Sequence, residues 1–321
     1  MTAAPVRTWA ERYAPSTREV YRRTLLELAA DDPRILCLDS DMGGLDDLFG
    51  PVLPEQYVNV GIAEANLVSV AAGLAATGFL PYANTMSGFA SARACEQVKI
   101  DVAHNNLPVR IVGTHGGFSA GHYGPTHHAL EDLAILRTLP NLTVVVPADS
   151  AETEYAVRAT AGLPGPLYLR LGRNPAPPVY DGPYQFRVGE AVRLRQGEDV
   201  TIVATGPHPV TMALEAARAL AVRGISARVL NVHTVKPFDT AAIAAAARET
   251  GALVTVEDHV LAGGLGSAVC EVVAGICPVP VRRIGVADRF HDSVGTETDL
   301  LDGAGVSARA VEEAVLSLRS A

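Results

Sequence analysis

The chain has 321 residues, 48% of them hydrophobic, which is enough for two domains with large buried cores and argues against disorder. Its net charge of -9 disfavours nucleic acid as a partner, because phosphate binding requires basic patches. The N-terminus has no apolar signal region, no stretch is long enough to span a membrane, and the four cysteines show no metal-type spacing. We therefore expect a cytoplasmic protein that binds neither nucleic acid nor membrane.

Alternating apolar strands and amphipathic helices predict an α/β fold of two doubly wound domains, each with a mainly parallel sheet. An extended arm is expected over residues 1–15, because its two prolines argue against a helix. The first domain is expected over 16–173, a proline-rich linker over 174–189 and the second domain over 190–321.

The predicted elements of the first domain are, in chain order, helix Arg18–Ala30, strands Arg34–Leu38 and Tyr57–Val60, helix Ala63–Thr77, strand Phe79–Ala83, helix Phe89–His104, strand Val109–Gly113, helix Leu130–Thr138, strand Leu142–Val146, helix Ala151–Ala161 and strand Leu167–Arg170. Those of the second domain are strand Val200–Ala204, helix Val210–Arg223, strand Ser226–Asn231, helix Thr240–Glu249, strand Leu253–Glu257, helix Ser267–Ala274, strand Val281–Ile284 and helix Ala308–Leu318.

Chemically active side chains follow several strands of the first domain. In open α/β sheets the ligand-binding crevice lies at the carboxyl ends of the strands. That rule brings five segments to one edge, namely Asp39–Asp41, Glu64, Thr85–Phe89, Thr114–His128 and Arg170–Arg173.

Glu64 follows a glycine turn and opens a long apolar run, so we expect it in the first turn of a helix. There the unpaired N–H groups and the helix dipole stabilise a carboxylate. An isolated Glu in this position is more often a capping residue, but its place at the predicted ligand edge favours a functional role. Phe89 offers an aromatic face among small residues, which suits either stacking on a planar heterocycle or filling the core.

The segment Thr114–His128 holds four of the nine histidines together with four glycines. Glycines let a backbone wrap closely around a ligand, and imidazoles shuttle protons near neutral pH. Zinc binding is disfavoured, because no Cys is near and the spacing of the histidines matches no common zinc pattern. Arg18, Arg170 and Arg173 lie near a helix start and a strand end, where they could form a pocket for phosphate or sugar hydroxyls.

A second glycine-rich turn, Glu257–Ser267, follows a strand and precedes a helix. It is similar to a dinucleotide-binding turn, but Val269 stands where the third glycine of that motif belongs. We therefore reject nucleotide binding here and favour packing or contact with another subunit.

Taken together, these segments resemble the C-terminal half of transketolases, which consists of a pyrimidine-binding domain and a C-terminal domain. The resemblance runs through nearly the whole chain, and its specificity lies in the order and spacing of the motifs. The markers are Ser16–Arg18, Gly61–Asn66, Gly88–Ala90, Gly124–His127, Glu131–Ala134, Leu136–Arg137, Pro140–Asn141, Val235–Pro237 and Gly263–Gly266.

The resemblance implies a dependence on thiamine diphosphate. Glu64 would hydrogen-bond the pyrimidine ring nitrogen and favour the imino tautomer that activates the thiazolium. Phe89 would stack on the pyrimidine, Asp41 would lie near the thiazolium, and Ile62 would also contact the cofactor.

The resemblance also assigns the substrate-binding residues. His115 and His127 would handle protons on the sugar hydroxyls and carbonyl, so both are expected to be catalytic together with Glu64. Arg18 and Arg173 would take the phosphate of the substrate. Tyr123 stands where the family carries an acid that contacts a substrate hydroxyl.

Three departures from the family pattern concern the substrate. His122-Tyr123 replace the usual acidic pair. Met42–Asp47 lack the serine of phosphate-binding members and carry two acids that would repel a phosphate if they pointed inward. Met86 and Ala92 replace aromatic residues near the pyrimidine. We therefore expect a less usual sugar or carbonyl compound as the substrate.

The Gly-Asp-Gly…Asn motif that binds diphosphate and Mg²⁺ in transketolases has no counterpart in this sequence. The resemblance therefore implies a split transketolase, in which a separate N-terminal subunit supplies the diphosphate-binding domain and the Mg²⁺ ligands. We expect this chain to self-associate and to form an α2β2 heterotetramer with that subunit, around two sites. The alternatives are the β subunit of a 2-oxoacid dehydrogenase E1 component, a synthase that joins pyruvate to a sugar phosphate, and a non-catalytic scaffold subunit.

Overall fold

The computed structural model describes residues 9–319. Within that range the strands are β1 (Ile35–Asp39), β2 (Tyr57–Asn59), β3 (Leu80–Met86), β4 (Arg110–Thr114), β5 (Thr143–Val145), β6 (Leu167–Arg170), β7 (Val192–Arg195), β8 (Val200–Ala204), β9 (Ala227–Asn231), β10 (Thr234–Lys236), β11 (Leu253–Val260) and β12 (Val281–Val286).

The α-helices of residues 9–319 are α1 (Trp9–Tyr13), α2 (Thr17–Asp31), α3 (Asp46–Phe49), α4 (Glu64–Ala76), α5 (Cys95–Gln97), α6 (Asp132–Arg137), α7 (Ser150–Thr160), α8 (Pro207–Val222), α9 (Thr240–Thr250), α10 (Leu265–Ile276), α11 (Glu297–Gly303) and α12 (Ala308–Arg319). The same range contains 3₁₀ turns at Pro54–Gln56 and Gly121–Tyr123 and π-helical turns at Phe89–Arg93 and Val98–His104. No helix in the described range is long and apolar enough to cross a membrane.

The strands form two mainly parallel sheets, which confirms the predicted fold class. The first has seven strands in the order β10-β5-β6-β4-β3-β1-β2, and the second has five in the order β12-β11-β8-β9-β7. In each sheet an edge strand runs antiparallel to its neighbour, β10 against β5 and β7 against β9. Buried side chains of α4 and α6 cover one face of the first sheet and those of α2 and α7 the other, so the sheet is doubly wound.

Helix α2 begins one residue before its predicted start, at a capping box formed by Ser16 and Glu19. Ser16 Oγ accepts a hydrogen bond from Glu19 N at 3.3 Å, and a Glu19 carboxylate oxygen accepts one from Ser16 N at 3.0 Å. These bonds satisfy two of the unpaired donors at the helix start. They also fix the first turn of α2, and with it the position of Arg18, beside the carboxyl edge of the sheet.

The prediction of an extended arm is wrong for the part of it that the structure describes, because Trp9–Tyr13 is a helix. The two prolines do not interrupt it: Pro15 follows the helix, and Pro5 lies outside the described residues. The Trp9 and Tyr13 rings pack at a tilt of 57° with their centroids 4.7 Å apart, and the Tyr13 hydroxyl donates to Glu154 of α7 at 3.0 Å. Contacts with the domain therefore support this short helix.

The single predicted helix Phe89–His104 is also wrong, because π-helical turns interrupt it. The residues that it contributes to the hydrophobic core recur at every fourth position, namely Ala90, Ala94, Val98 and Val102. A regular α-helix has 3.6 residues per turn, so such a stripe would drift by about 40° per step away from the core. The wider π turns keep all four residues against α4 and the sheet.

Two strands of the second domain, β7 and β10, are not predicted from the sequence. β10 pairs with β5 of the first sheet, with Thr234 opposite Val145 and Lys236 opposite Val144. Three residues are too short to show a period, and this pairing is specified by a distant partner rather than by local sequence. The two domains consequently share a sheet.

A buried arginine joins the two domains behind the ligand edge. Arg170, the last residue of β6, donates from Nε to Asp132 Oδ2 at 2.8 Å. Its Nη2 donates to the carbonyls of Ala129 and Asp258, at 3.0 and 2.9 Å. One guanidinium therefore ties the start of α6 and the end of the glycine-rich loop to β11 of the second domain.

The side chain of Asp258 enters the glycine-rich loop of the first domain. Asp258 Oδ2 accepts a hydrogen bond from Phe118 N at 3.1 Å. Burial raises the pKa of Asp258 to about 7, while the charge of Arg170 opposes that rise. A Cβ on Gly117 would lie 1.5 Å from Asp258 Oδ2, so the loop admits this carboxyl group only with glycine there.

The second glycine-rich turn packs internally. Glu257 accepts hydrogen bonds from Leu265 N at 2.6 Å and Gly266 N at 2.8 Å, at the start of α10. The amides that would cradle a phosphate in a dinucleotide turn thus bind the chain's own carboxylate. Neighbouring His259 accepts a hydrogen bond from Ala134 N at 3.1 Å, which attaches the turn to the first domain.

We expect Gly117→Ala to destabilise the protein, because the new methyl group would overlap the Asp258 carboxylate. Gly224→Ala is the matched control: both glycines have positive φ, +60° and +75°, but nothing lies within 4 Å of a Cβ on Gly224. The control should lose about 1 kcal/mol through backbone strain, and Gly117→Ala at least about 2 kcal/mol more. Urea denaturation measures both losses, and equal losses would contradict this account of the domain contact.

Candidate active site

Glu64 lies in the first turn of α4, after a turn through Gly61 at φ +74°. Its side chain is nearly covered, yet Glu64 Oε1 accepts a hydrogen bond from Arg93 Nη1 at 3.0 Å. The same guanidinium lies over Phe89, with Arg93 Cζ 3.8 Å from the ring centroid. Glu64 and Phe89 therefore border one space, in which a planar group with N–H donors can contact both.

A row of rings continues from Phe89 across the glycine-rich loop. The His127 ring lies edge-on to Phe89 with the centroids 5.3 Å apart, and the Tyr123 centroid lies 5.0 Å from that of His127. Tyr123 also lies 4.0 Å from His122 and 6.3 Å from His115, centroid to centroid. This ring row joins the predicted cofactor residue Phe89 to the predicted substrate residues.

The far end of the ring row is cationic. Arg173 Cζ lies 5.5 Å from the centroid of Tyr123, and Arg173 Nη1 lies 2.9 Å from His122 Nδ1. Burial lowers the pKa of Arg18, and the charges of Arg22 and Arg173 lower it further. Three arginines therefore sit close enough to repel one another, an arrangement that an anion would stabilise.

His115 is buried beside these arginines. Burial lowers its pKa to about 3, and the charges of Arg18 and Arg173 add to the effect. Its Nδ1 lies 2.9 Å from Thr114 Oγ1, and that hydroxyl donates to the Thr85 carbonyl at 3.3 Å. The hydroxyl can then only accept from Nδ1–H, so the neutral ring keeps Nε2 as an acceptor.

Asp41 and Ile62 lie at the β1–β2 end of the same edge, and no contact in the described residues joins them to the ring row. Asn59, the last residue of β2, links their segments: it donates to Asp41 Oδ1 at 3.3 Å and accepts from Gly61 N at 2.8 Å. Ile62 is 75% exposed. Within residues 9–319 no group of three or more His, Cys, Asp or Glu is arranged to hold a metal ion.

A cleft of about 750 Å³ opens between the domains beside His122. Asn174 donates to Glu297 Oε2 in its wall at 2.8 Å, and His208 Nε2 lies 3.4 Å from the same oxygen. The cleft adjoins the cationic end of the ring row and does not include Glu64 or Phe89.

Two placements expected at the site are wrong. Arg170 does not join Arg18 and Arg173, because its guanidinium is buried against Asp132 and backbone carbonyls. His128 turns away from the ring row and packs edge-on against Phe118, with the centroids 5.0 Å apart. Of the four histidines in the loop, the other three lie along the row.

Sequence reasoning missed Arg22, Arg93 and Asn59. The two arginines carry a readable signal, because each lies four residues after a predicted site residue on a predicted helix, Arg22 after Arg18 and Arg93 after Phe89. Side chains four apart on a helix lie on one face, so both could have been added. Asn59 has no such signal, since its role depends on the pairing of β1 with β2.

Comparisons with known proteins match both halves of this architecture. Residues 14–178 match the family "Transketolase, pyrimidine binding domain", and residues 189–311 match "Transketolase, C-terminal domain". A 6-deoxy-6-sulfo-D-fructose transketolase subunit of Clostridium sp. (strain MSTE9) is 44% identical over 299 residues, which are 92% of each chain. An apulose-4-phosphate transketolase subunit of Phocaeicola vulgatus is 42% identical over 84% of this chain and 87% of that protein.

A solved structure described as a split gene transketolase, inactive beta4 tetramer, has a TM-score of 0.89 at 42% identity, over 95% of this chain and 99% of that chain. The fold is that of a transketolase pyrimidine-binding domain joined to a transketolase C-terminal domain. The chain belongs to the transketolase family.

We expect His115 to remain neutral between pH 5 and 8, because burial and the nearby arginines lower its pKa to about 3. Nitrogen-15 NMR of the histidine rings would show no titration of His115 in this window, with a histidine-containing model peptide as the reference. The unfolded chain takes up a proton at this residue below its ordinary pKa of about 6.5. The free energy of unfolding should therefore fall as the pH drops from about 6.5 towards 3. A His115 midpoint near 6.5, assigned with His115→Gln, would refute this environment.

Proposed function

We propose that the chain is the C-terminal subunit of a two-subunit, thiamine-diphosphate-dependent transketolase, which transfers a two-carbon ketol unit from a ketose to an aldose. The observation that carries this proposal is the pairing of the Glu64 carboxylate with the face of Phe89 in one space at the sheet edge. Two relatives that align over most of their own length are themselves named as transketolase subunits, which supports a separate partner.

Glu64 and Phe89 fit the pyrimidine half of the cofactor. The Arg93 guanidinium already contacts both, so the space admits a planar group that donates to the carboxylate and lies on the ring. Glu64 would accept a hydrogen bond from the pyrimidine and fix its tautomer, with Asp41 and Ile62 contributing from the β1–β2 end. The bound cofactor supplies the nucleophilic carbon that carries the ketol unit. We place the diphosphate and Mg²⁺ ligands on the partner subunit.

His115 and His127 would move protons at the substrate. Because Nδ1 of His115 is bonded to Thr114, Nε2 is left as an acceptor for a substrate hydroxyl, and the lowered pKa keeps the ring neutral at working pH. His127 Nδ1 lies 2.8 Å from Thr126 Oγ1, which orients its ring between Phe89 and Tyr123. Both imidazoles would therefore act on oxygens next to the reacting carbonyl.

The cationic end would hold an anionic group at the far end of the sugar. Arg18 and Arg173 provide donors for a phosphate or a sulfonate, and the charge of Arg22 acts on Arg18 as well. Two relatives are named for sugars that carry such a group, a 6-deoxy-6-sulfo-fructose and an apulose 4-phosphate. We propose that the substrate of this chain is likewise an anionic sugar.

The proposed assembly is an α2β2 heterotetramer in which two copies of this chain associate. The relative solved as a split gene transketolase is described as an inactive beta4 tetramer, which supports self-association of such subunits and a need for the partner. Light scattering of this chain with and without the partner would give both stoichiometries.

The purified chain with thiamine diphosphate and Mg²⁺ should be inactive, and addition of the diphosphate-binding subunit should restore ketol transfer. Glu64→Gln should lower kcat in the reconstituted pair by at least about 100-fold, because the pyrimidine loses its carboxylate partner. Glu215→Gln, an exposed position on α8, is the control and should be fully active. Full activity of the chain alone would rule out the split enzyme, and an unchanged rate for Glu64→Gln would favour a scaffold subunit.

Tyr123 should set the preference for the substrate's middle carbons, since its ring lies between His127 and Arg173. Replacing it with Asp provides an acceptor for a substrate hydroxyl, and a charged hydrogen bond of about 1.5 kcal/mol corresponds to roughly 10-fold. The ratio of kcat/KM for hydroxylated over deoxy substrates should rise by that factor in Tyr123→Asp. Tyr123→Phe keeps the ring and should keep the wild-type ratio; a similar change in both variants would exclude this role.

A further inference from the structure

Arg93 contacts Glu64 and Phe89, the two residues that we propose bind the pyrimidine. Its Nη1 donates to Glu64 Oε1 at 3.0 Å, and its Cζ lies 3.8 Å from the centroid of Phe89. Both contacts come from one planar guanidinium, which donates in its plane and stacks through its face. A pyrimidine held by Glu64 and Phe89 would use the same two kinds of contact.

The exposure of the two side chains shows from which side the carboxylate is reached. The Glu64 side chain is 7% exposed, whereas that of Arg93 is 54% exposed. Arg93 is therefore the more exposed partner of this pair, and its guanidinium occupies the hydrogen-bonding edge of the carboxylate at Oε1. A ligand that needs this edge meets Arg93 first.

We infer that Arg93 is an internal competitor for the pyrimidine position, a side chain that holds Glu64 and Phe89 until the cofactor displaces it. This inference rests on the proposed function. Before assembly, Arg93 forms an ion pair with the nearly buried carboxylate of Glu64, which would otherwise lack a counter-ion at this contact. Once displaced, its half-exposed, flexible side chain can return its charge to water.

The competition should be weak, because the cofactor has to be able to displace Arg93. An ion pair with one half-exposed partner is held loosely in water and is screened by salt. Removing the guanidinium should therefore tighten binding of the cofactor by roughly threefold to tenfold. The gain should shrink towards none as the salt concentration rises to about 0.5 M, where the Debye length falls to a few ångströms.

The test is calorimetric titration of thiamine diphosphate into the reconstituted pair of subunits, with wild type, Arg93→Ala and Arg93→Lys. Arg93→Ala should lower the Kd by the stated factor at low salt, and Arg93→Lys should give an intermediate value because it keeps the charge without the planar fork. Arg223→Ala is a closely matched control: Arg223 is also 54% exposed and pairs with Glu312 at 2.9 Å, far from this site. It should leave the Kd unchanged.

A second readout uses the chain alone with thiamine as the probe. Saturation-transfer NMR should show a stronger thiamine signal with Arg93→Ala than with wild type, and no such gain with Glu64→Gln combined with Arg93→Ala. An equal or weaker affinity of Arg93→Ala in both experiments would overturn the inference, because Arg93 would then support the pocket instead of competing for it. Absence of cofactor binding to the reconstituted pair in every variant would instead defeat the proposed function itself.

Discussion

The arrangement of the whole ligand edge depends on one buried cation. Arg170 donates to a carboxylate at the start of α6 and to backbone carbonyls in the glycine-rich loop and in β11. Removing it would leave Asp132 charged and buried, a loss of about 3–5 kcal/mol in comparable pairs. The close fit of Gly116, whose Cβ would lie 2.9 Å from Arg170 Nε, shows that the loop is folded around this side chain. Arg170, which the sequence suggested as one member of an arginine pocket, therefore stabilises the fold behind the site.

Charge is ordered along the edge that Arg170 supports. A carboxylate, Glu64, stands at one end of the ring row, and arginines stand at the other. The neutral His115 lies near the cationic end, where a proton on its ring would be repelled by Arg18 and Arg173. This order of charges matches an extended ligand whose anionic group lies at the arginines and whose carbonyl lies towards Glu64. The aromatic ring of Tyr123, at a position where the family usually carries an acid, lies between the two ends and continues the row.

Most of the fold was predictable from the sequence because it is specified locally. The apolar runs of the central strands are short-range signals, and they led to the correct elements. The π turns after Phe89 were not recognised, although the four-residue spacing of Ala90, Ala94, Val98 and Val102 is visible in the sequence. β10 could not be recognised at all, because its partner lies about 90 residues away and an edge strand has no period of its own.

Residues of the site could be predicted from the sequence, but the contacts that those residues make could not. Strand ends and the family resemblance identified Glu64, Phe89, His115 and Tyr123, which the structure brings within a single row. They could not reveal that Arg170 points inwards or that Arg93 covers Glu64, since both depend on which neighbour a long cation meets. Long charged side chains have too many accessible rotamers for a sequence pattern to fix their partners.

The strand that crosses between the domains determines where the chain tolerates a break. If the polypeptide were cut within the proline-rich segment that follows β6 and the pieces were separated, β10 would be removed from the first sheet. Strand β5 would then be an unpaired edge. Unpaired edges recruit other strands, so the isolated first piece would tend to aggregate. The two domains are therefore less prone to aggregate as one polypeptide than as two chains divided within this proline-rich segment.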